Sequence, residues 1–246
     1  MPAEYDLEVL SNNRLTPNMR RIVLQGPELA GFPADQEGGY VKLLFDPAEE
    51  GGKPTLRSYT IRAFDAAQQE LMLDFVDHGD GGPASAWASR ARPGDPITIR
   101  GPGEPKLAAP DADWFLLAGD MSALPALAVN LERLPKNAQG YALIEVLSEA
   151  DRQAIDHPEG VELRWLVNPD TERPNALLNE RVRALPWLPG TPYPWFAGEF
   201  STMRSMRRYF RDESGIDKHA MYCSCYWKMG DTDEGMKRAK KLDPEA

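Results

Sequence analysis

The chain has 246 residues, a formal net charge of −10 and an isoelectric point near 4.9. So acidic a balance argues against a nucleic-acid binder, which needs concentrated basic surface, and is read more simply as a source of solubility. With 42% hydrophobic residues the chain can bury cores in two domains of ordinary size, and no apolar run is long enough to span a bilayer.

Up to residue 105 short strands alternate with turns, at 5–10, 19–24, 40–45, 56–64, 70–76 and 96–100. Six such strands predict a small antiparallel β-barrel for residues 1–105. One helix is expected within it, at 83–90, stopped by Pro93-Gly94. From Gly101 to Pro110 the chain is rich in proline, glycine and alanine and reads as a linker. Residues 110–246 then alternate apolar strands (114–118, 141–147, 161–167, 195–197, 221–227) with helical stretches (122–134, 175–185, 201–213). That rhythm implies an α/β domain whose parallel sheet is covered on both faces.

Two signatures in the first half point to one ligand. In Arg57-Ser58-Tyr59-Thr60, side chains two apart on a strand share a face, so Arg57 and Tyr59 can meet the same molecule. Arginine offers a fork of donors to a phosphate, and tyrosine a flat ring to an isoalloxazine. Thr60 points the other way, with its amide and hydroxyl in reach of the flavin edge. In Gly81-Gly82-Pro83-Ala84-Ser85 a strand gives way to a helix, with glycines for close backbone approach and proline suited to the first helical position. Free amides at such a helix start attract an anion, here a flavin diphosphate, with the Ser85 hydroxyl as a further donor. Each signature alone describes an ordinary strand or helix start, but their order and spacing favour an FAD site.

The segment Arg57 to Arg62, followed by Asp77-His78-Gly79-Asp80-Gly81-Gly82-Pro83-Ala84-Ser85-Ala86-Trp87-Ala88, resembles the siderophore-interacting proteins. These are FAD-containing ferric-siderophore reductases of the ferredoxin-reductase-like superfamily. Further similarity runs through Val41 to Phe45, Gly94-Asp95, Gly101-Pro102, Leu117 to Pro125, Trp195 to Glu199 and Tyr226-Trp227-Lys228-x-Gly230. The resemblance implies a barrel that holds FAD and an α/β domain that holds NADPH. It places His78 and Trp87 at the flavin, and Tyr226 and Trp227 among the cofactor contacts.

In open parallel sheets the first strand-to-helix turn commonly receives a phosphate. Here that turn is Gly119-Asp120-Met121-Ser122, and Asp120 sits badly beside a diphosphate, although the Gly-Asp start matches the family. Arg204, Arg207, Arg208 and Arg211 crowd one side of the helix after Glu199. Either they hold the additional phosphate of NADPH or they form a solvated basic face. Arg152, after the second parallel strand, is a rival for that phosphate. Glu199 matches the family's alanine-glycine-glutamate turn, where nicotinamide approaches flavin; capping of the following helix is its simpler role.

Many ferric siderophores are anionic, so an acidic protein needs a local cationic pocket for one. Lys42 and Lys228 are the candidates, promoted by the family's basic pocket near the flavin. Lys237 belongs to a basic tail, residues 236–241, that reads first as helix-dipole pairing. No side chain is expected as catalytic acid, base or nucleophile, and no metal is expected as a resident cofactor. Cys223 and Cys225 read as small strand residues in a reducing compartment. The start of the chain lacks the marks of a signal peptide, so a cytoplasmic monomer without nucleic-acid or membrane partners is expected. Three functions remain open: reduction of a ferric siderophore with NADPH, NAD(P)H or ferredoxin oxidoreduction with another acceptor, and binding of a ferric chelate without catalysis.

Overall fold

A computed structural model describes residues 3–45, 54–77, 82–170, 176–231 and 233–243. His78 and Gly81 lie outside the described residues, as does the side chain of Lys237. The chain divides into two compact units, Met1–Lys106 and Leu107–Ala246.

In the first unit six strands, β1 (Ala3–Thr16), β2 (Met19–Gln25), β3 (Tyr40–Phe45), β4 (Thr55–Asp65), β5 (Glu70–Val76) and β6 (Pro96–Gly103), close into a barrel in the order β1-β2-β5-β4-β3-β6. Neighbouring strands are antiparallel throughout. Strand alternation sends Ile22, Leu24, Val41, Leu43, Ile61, Leu71, Leu73, Phe75 and Ile99 into a common core. β1 extends beyond the predicted 5–10. A register shift between Val9 and Ser11 breaks the alternation, and the polar run Ser11-Asn12-Asn13-Arg14 then hides the rest of the strand from a hydrophobicity reading. Helix α1 (Pro83–Arg90) lies against this core through Ala88 and Trp87.

In the second unit five parallel strands, β7 (Trp114–Gly119), β8 (Gly140–Val146), β9 (Val161–Val167), β10 (Pro192–Glu199) and β11 (Tyr222–Trp227), form a sheet ordered β11-β10-β7-β8-β9. Helices α3 (Ala176–Arg183) and α4 (Phe200–Arg208) bury Leu178, Val182, Met203 and Met206 on the face that carries Trp114, Leu116, Tyr141 and Phe196. Helix α2 (Leu124–Arg133) covers the opposite face, where Leu127 comes within 3.1 Å of an added Cβ at Gly119. The predicted helix 201–213 is α4 followed by a π-helical turn, Tyr209–Glu213. Helix α5 (Asp233–Leu242) ends the described chain, with Met236 in the α3/α4-side core.

This is the architecture expected from the sequence: a six-stranded antiparallel barrel followed by an α/β unit with a parallel sheet covered on both faces.

Candidate functional site

On β4, Arg57 and Tyr59 stand directly opposite Leu43 and Val41 of β3, both fully buried, so they share the barrel's inner face, and Thr60, Ser58 and Lys42 take the outer one. They lie near the start of β4, at the same barrel end as the finish of β5 and the start of α1. The Tyr59 ring packs on Phe75 at 4.1 Å between centroids, Phe75 on Trp87 of α1 at 5.8 Å, and Trp87 on Phe45 at 6.1 Å. An aromatic bridge thus connects the two signatures. Burial pushes the Tyr59 phenol up, only partly offset by the Arg57 guanidinium, so it stays a neutral hydroxyl.

Gly82 caps α1 with no side-chain hydrogen bond, and Pro83 occupies the first turn. The amides that open the helix are therefore without a side-chain cap. A Cβ added at Gly82 would meet nothing within 4 Å, so ligand atoms can approach the backbone there. Arg57 donates to the Leu56 carbonyl at 3.0 Å, which fixes the guanidinium beside its strand. Anion-binding amides, a guanidinium and a partly open aromatic surface at one barrel end fit the diphosphate and ring of FAD. Ser85 is buried along with Ala84 and Ala88, so its hydroxyl lies on the packed side of α1.

Lys42 pairs across the sheet with Ser58 and Arg100, on the face opposite Arg57. Lys228 is in the second unit, where its ammonium bonds Asp231 at 2.6 Å.

In the second unit, the turn after β7 carries Asp120 with its carboxylate facing inward. It accepts from the Ser122 amide at 2.9 Å and the Ser122 hydroxyl at 2.5 Å, from the Glu199 amide at 3.0 Å and from the Trp227 indole at 2.8 Å. Burial raises its pKa and these four bonds oppose the rise. The unfavourable charge foreseen beside a diphosphate is thus directed into the protein. Two glycines make room for this arrangement. A Cβ at Gly119 would lie 2.5 Å from the Ala197 carbonyl oxygen, and one at Gly198, at φ 158°, 2.7 Å from Asp120 Oδ2. The turn itself has few amides to spare: those of Ser122, Ala123 and Leu124 bond Asp120 or Met121, and Pro125 has none.

Glu199 is 2% exposed and caps α4. One carboxylate oxygen accepts from the Ser201 amide and hydroxyl and the Thr202 amide, the other from the Met229 amide at 3.2 Å. Arg204 and Arg207 converge on buried Asp243, at 3.5 and 3.3 Å, and Arg207 also reaches the Cys223 carbonyl. They fasten the chain after α5 to α4. Arg152 instead lines a groove of about 550 Å³ beside β9, with Arg164, Trp165 and Arg181. Arg152 bonds Glu149, and Arg164 bonds Glu162 and lies over the Tyr141 ring, at the exposed surface. Arg152 and Arg164 are ion-paired too, but to exposed Glu149 and Glu162, whereas Asp243, the partner of Arg204 and Arg207, is buried. Tyr226 is half-buried on β11, and Trp227 is the donor to Asp120.

One buried acid of the second unit gave no signal in the sequence. Glu145 on β8 is buried, accepts from Asn168 at 3.1 Å, and leaves Oε2 without a partner among the described residues. Burial foremost, and then the nearby Asp120, push it up to about 7. Cys223 and Cys225 are pushed up to about 12 by burial and are held as thiols.

The family model described as siderophore-interacting protein matches residues 112–230, and the siderophore-interacting FAD-binding domain matches residues 8–52 and 47–106. The chain is 35% identical to the ferric vibriobactin reductase ViuB of Vibrio cholerae, over 93% of this chain and 90% of that protein. It is 32% identical to the NADPH-dependent ferric-chelate reductase of Escherichia coli, over 90% and 92%. The crystal structure of the siderophore-interacting protein SipS from Aeromonas hydrophila superposes with a TM-score of 0.88 at 35% identity, covering 98% of this chain and 97% of that one.

Proposed function

Because the chain belongs to the siderophore-interacting protein family, we propose that it is a soluble ferric-siderophore reductase that holds FAD and takes its electrons from NADPH. The observation that carries this reading is the aromatic bridge from Tyr59 through Phe75 to Trp87, which puts a phosphate-binding arginine and an uncapped helix start at one end of the barrel. Bound FAD would accept a hydride from NADPH and return its two electrons singly, each to one chelated Fe(III), which leaves as weakly held Fe(II).

The chain's own groups bind and orient. Arg57 and the amides of Ala84 and Ser85 neutralise the flavin diphosphate, and Tyr59 supports the ring with a phenol that keeps its proton. Arg152, assisted by Arg164 and Arg181, receives the phosphates of NADPH. Within the second unit, Lys228 supplies positive charge to an anionic siderophore on release from Asp231. Electron transfer to iron needs no general acid or base. Each copy carries both units, so one chain is a sufficient catalytic unit, working in the cytoplasm.

Reconstitution of the purified chain with FAD, followed by anaerobic stopped-flow reduction with NADPH, tests the reading. The flavin is expected to bleach with NADPH and to recolour on mixing with a ferric siderophore. A chain that takes up no FAD removes the reductase. Reduction by ferredoxin but not by NADPH changes the donor, and reoxidation by ferredoxin but not by the chelate changes the acceptor.

A further inference from the structure

One face of β1 holds the last turn of the helix that opens the flavin site and the residue just past the strand before it. At the far end of the helix, the Asn12 side-chain amide donates to two carbonyls, Ala88 at 2.7 Å and Ala91 at 2.9 Å. Carbonyls in the last turn of a helix have no intrahelical partner, and both hydrogens of one amide are spent on them. At the near end, Asp77 leads into the Gly-Gly-Pro signature and accepts from Arg14 at 2.7 Å and Arg20 at 2.8 Å. Its amide bonds the Asn18 carbonyl at 2.9 Å, and Arg14 also bonds the Pro17 carbonyl at 2.7 Å. Asn12 and Arg14 are two residues apart on a strand, so they face the same way.

We propose that Asn12 and Arg14 are positioning residues for the FAD diphosphate: together they set the axis and the starting point of α1, and so the aim of its open amides. This rests on the flavin reading above. The geometry favours such a role because α1 has only eight residues, too short to hold a direction by its own hydrogen bonds. Its fully buried side chains, Ala84, Ser85 and Ala88, are small, and Trp87 is its one large group packed on the barrel, against Phe75 and Phe45. The double bond from Asn12 removes freedom of direction at the last turn, and the paired arginines fix Asp77, where β5 ends. Neither residue touches the flavin itself. The contribution is to pre-organisation, so it is felt only by a ligand that uses the amides of α1.

That selectivity supplies the test. Full-length apoprotein of wild type, Asn12→Ala, Arg14→Ala and Arg14→Lys is titrated with FAD and, separately, with riboflavin, which has the same ring and no phosphate, following quenching of flavin fluorescence. Asn12→Ala is expected to weaken FAD about tenfold and Arg14→Ala about threefold, the lesser effect because Arg20 still holds Asp77. Riboflavin affinity should stay within about twofold of wild type in every variant, and Arg14→Lys should recover part of the loss. Equal weakening of both flavins would assign Asn12 and Arg14 to general folding, and no weakening of FAD would show that α1 needs no such guide; either result overturns the proposal. Arg14 has a half-exposed side chain, so its variants keep the test valid should Asn12→Ala fail to fold. If wild type itself binds no FAD, it is the flavin reading that fails.

Discussion

The Trp227 indole donates to Asp120 Oδ2 at 2.8 Å, and so joins the turn after β7 to the end of β11 across the intervening β10. Because the Glu199 amide of β10 reaches the same oxygen, one carboxylate gathers three strand ends. Trp227→Phe keeps the ring and deletes the donor. It should cost about 1–2 kcal/mol in urea unfolding of the second unit, and Asp120→Ala about 3 kcal/mol or more, since four donors then lose their acceptor. A Trp227→Phe protein as stable as wild type would show the bond to be incidental.

Glu145 makes the second unit sensitive to pH. Its pKa is raised in the folded protein from 4.5 to about 7, so the native state binds the proton more tightly than the unfolded chain. The stabilisation is complete below about pH 4.5 and is lost as pH rises towards 7, and the raised Asp120 acts in the same direction. Glu145→Gln carries no such charge. At pH 8 it should be more stable than wild type by about 1–3 kcal/mol, the difference vanishing near pH 4. Parallel stability-pH curves for the two proteins would disprove this.

Glu199 is expected to act through α4. Glu199→Ala should destabilise the second unit by about 1–2 kcal/mol because the Ser201 and Thr202 amides lose their cap. Thermal unfolding reads this directly. A variant of unchanged stability with slower flavin reduction by NADPH would return Glu199 to the nicotinamide.

Arginine substitutions separate the two basic regions. Arg152→Ala should weaken NADP+ about tenfold and NAD+ by less than about twofold, measured by calorimetric titration, because a phosphate bond is worth most to the phosphorylated nucleotide. Arg207→Ala should leave that preference alone and lower stability, since Asp243 is then buried with a weaker partner. The opposite pattern would move the phosphate site to α4.

Local rules in the sequence reached far in this protein. The helix at 83–90 and the strands at 40–45, 70–76 and 161–167 appear with the predicted bounds, because proline, glycine and apolar alternation mark their ends. The sharing of one face by Arg57 and Tyr59 also follows from strand period alone. Hidden from a sequence reading were contacts between distant segments. Asp243 meets Arg207 only after α5 folds back, Phe75 joins the two signatures only once β4 and β5 pair, and Asn12 finds α1 across 76 residues. The α4 arginines illustrate the limit: their spacing was visible, but the buried acid that engages two of them was not.

The two units also differ in what they offer a neighbour. A closed barrel leaves no backbone ladder open, whereas β9 pairs only with β8 and keeps its outer rim unbonded among the described residues. Partly exposed Leu163 and Trp165 lie on that strand, beside the Glu162–Arg164 pair and the Arg152 and Arg181 side chains. Misassembly on heating or at high concentration should therefore begin at β9, and a second charge placed on that strand is the natural way to keep the protein in solution.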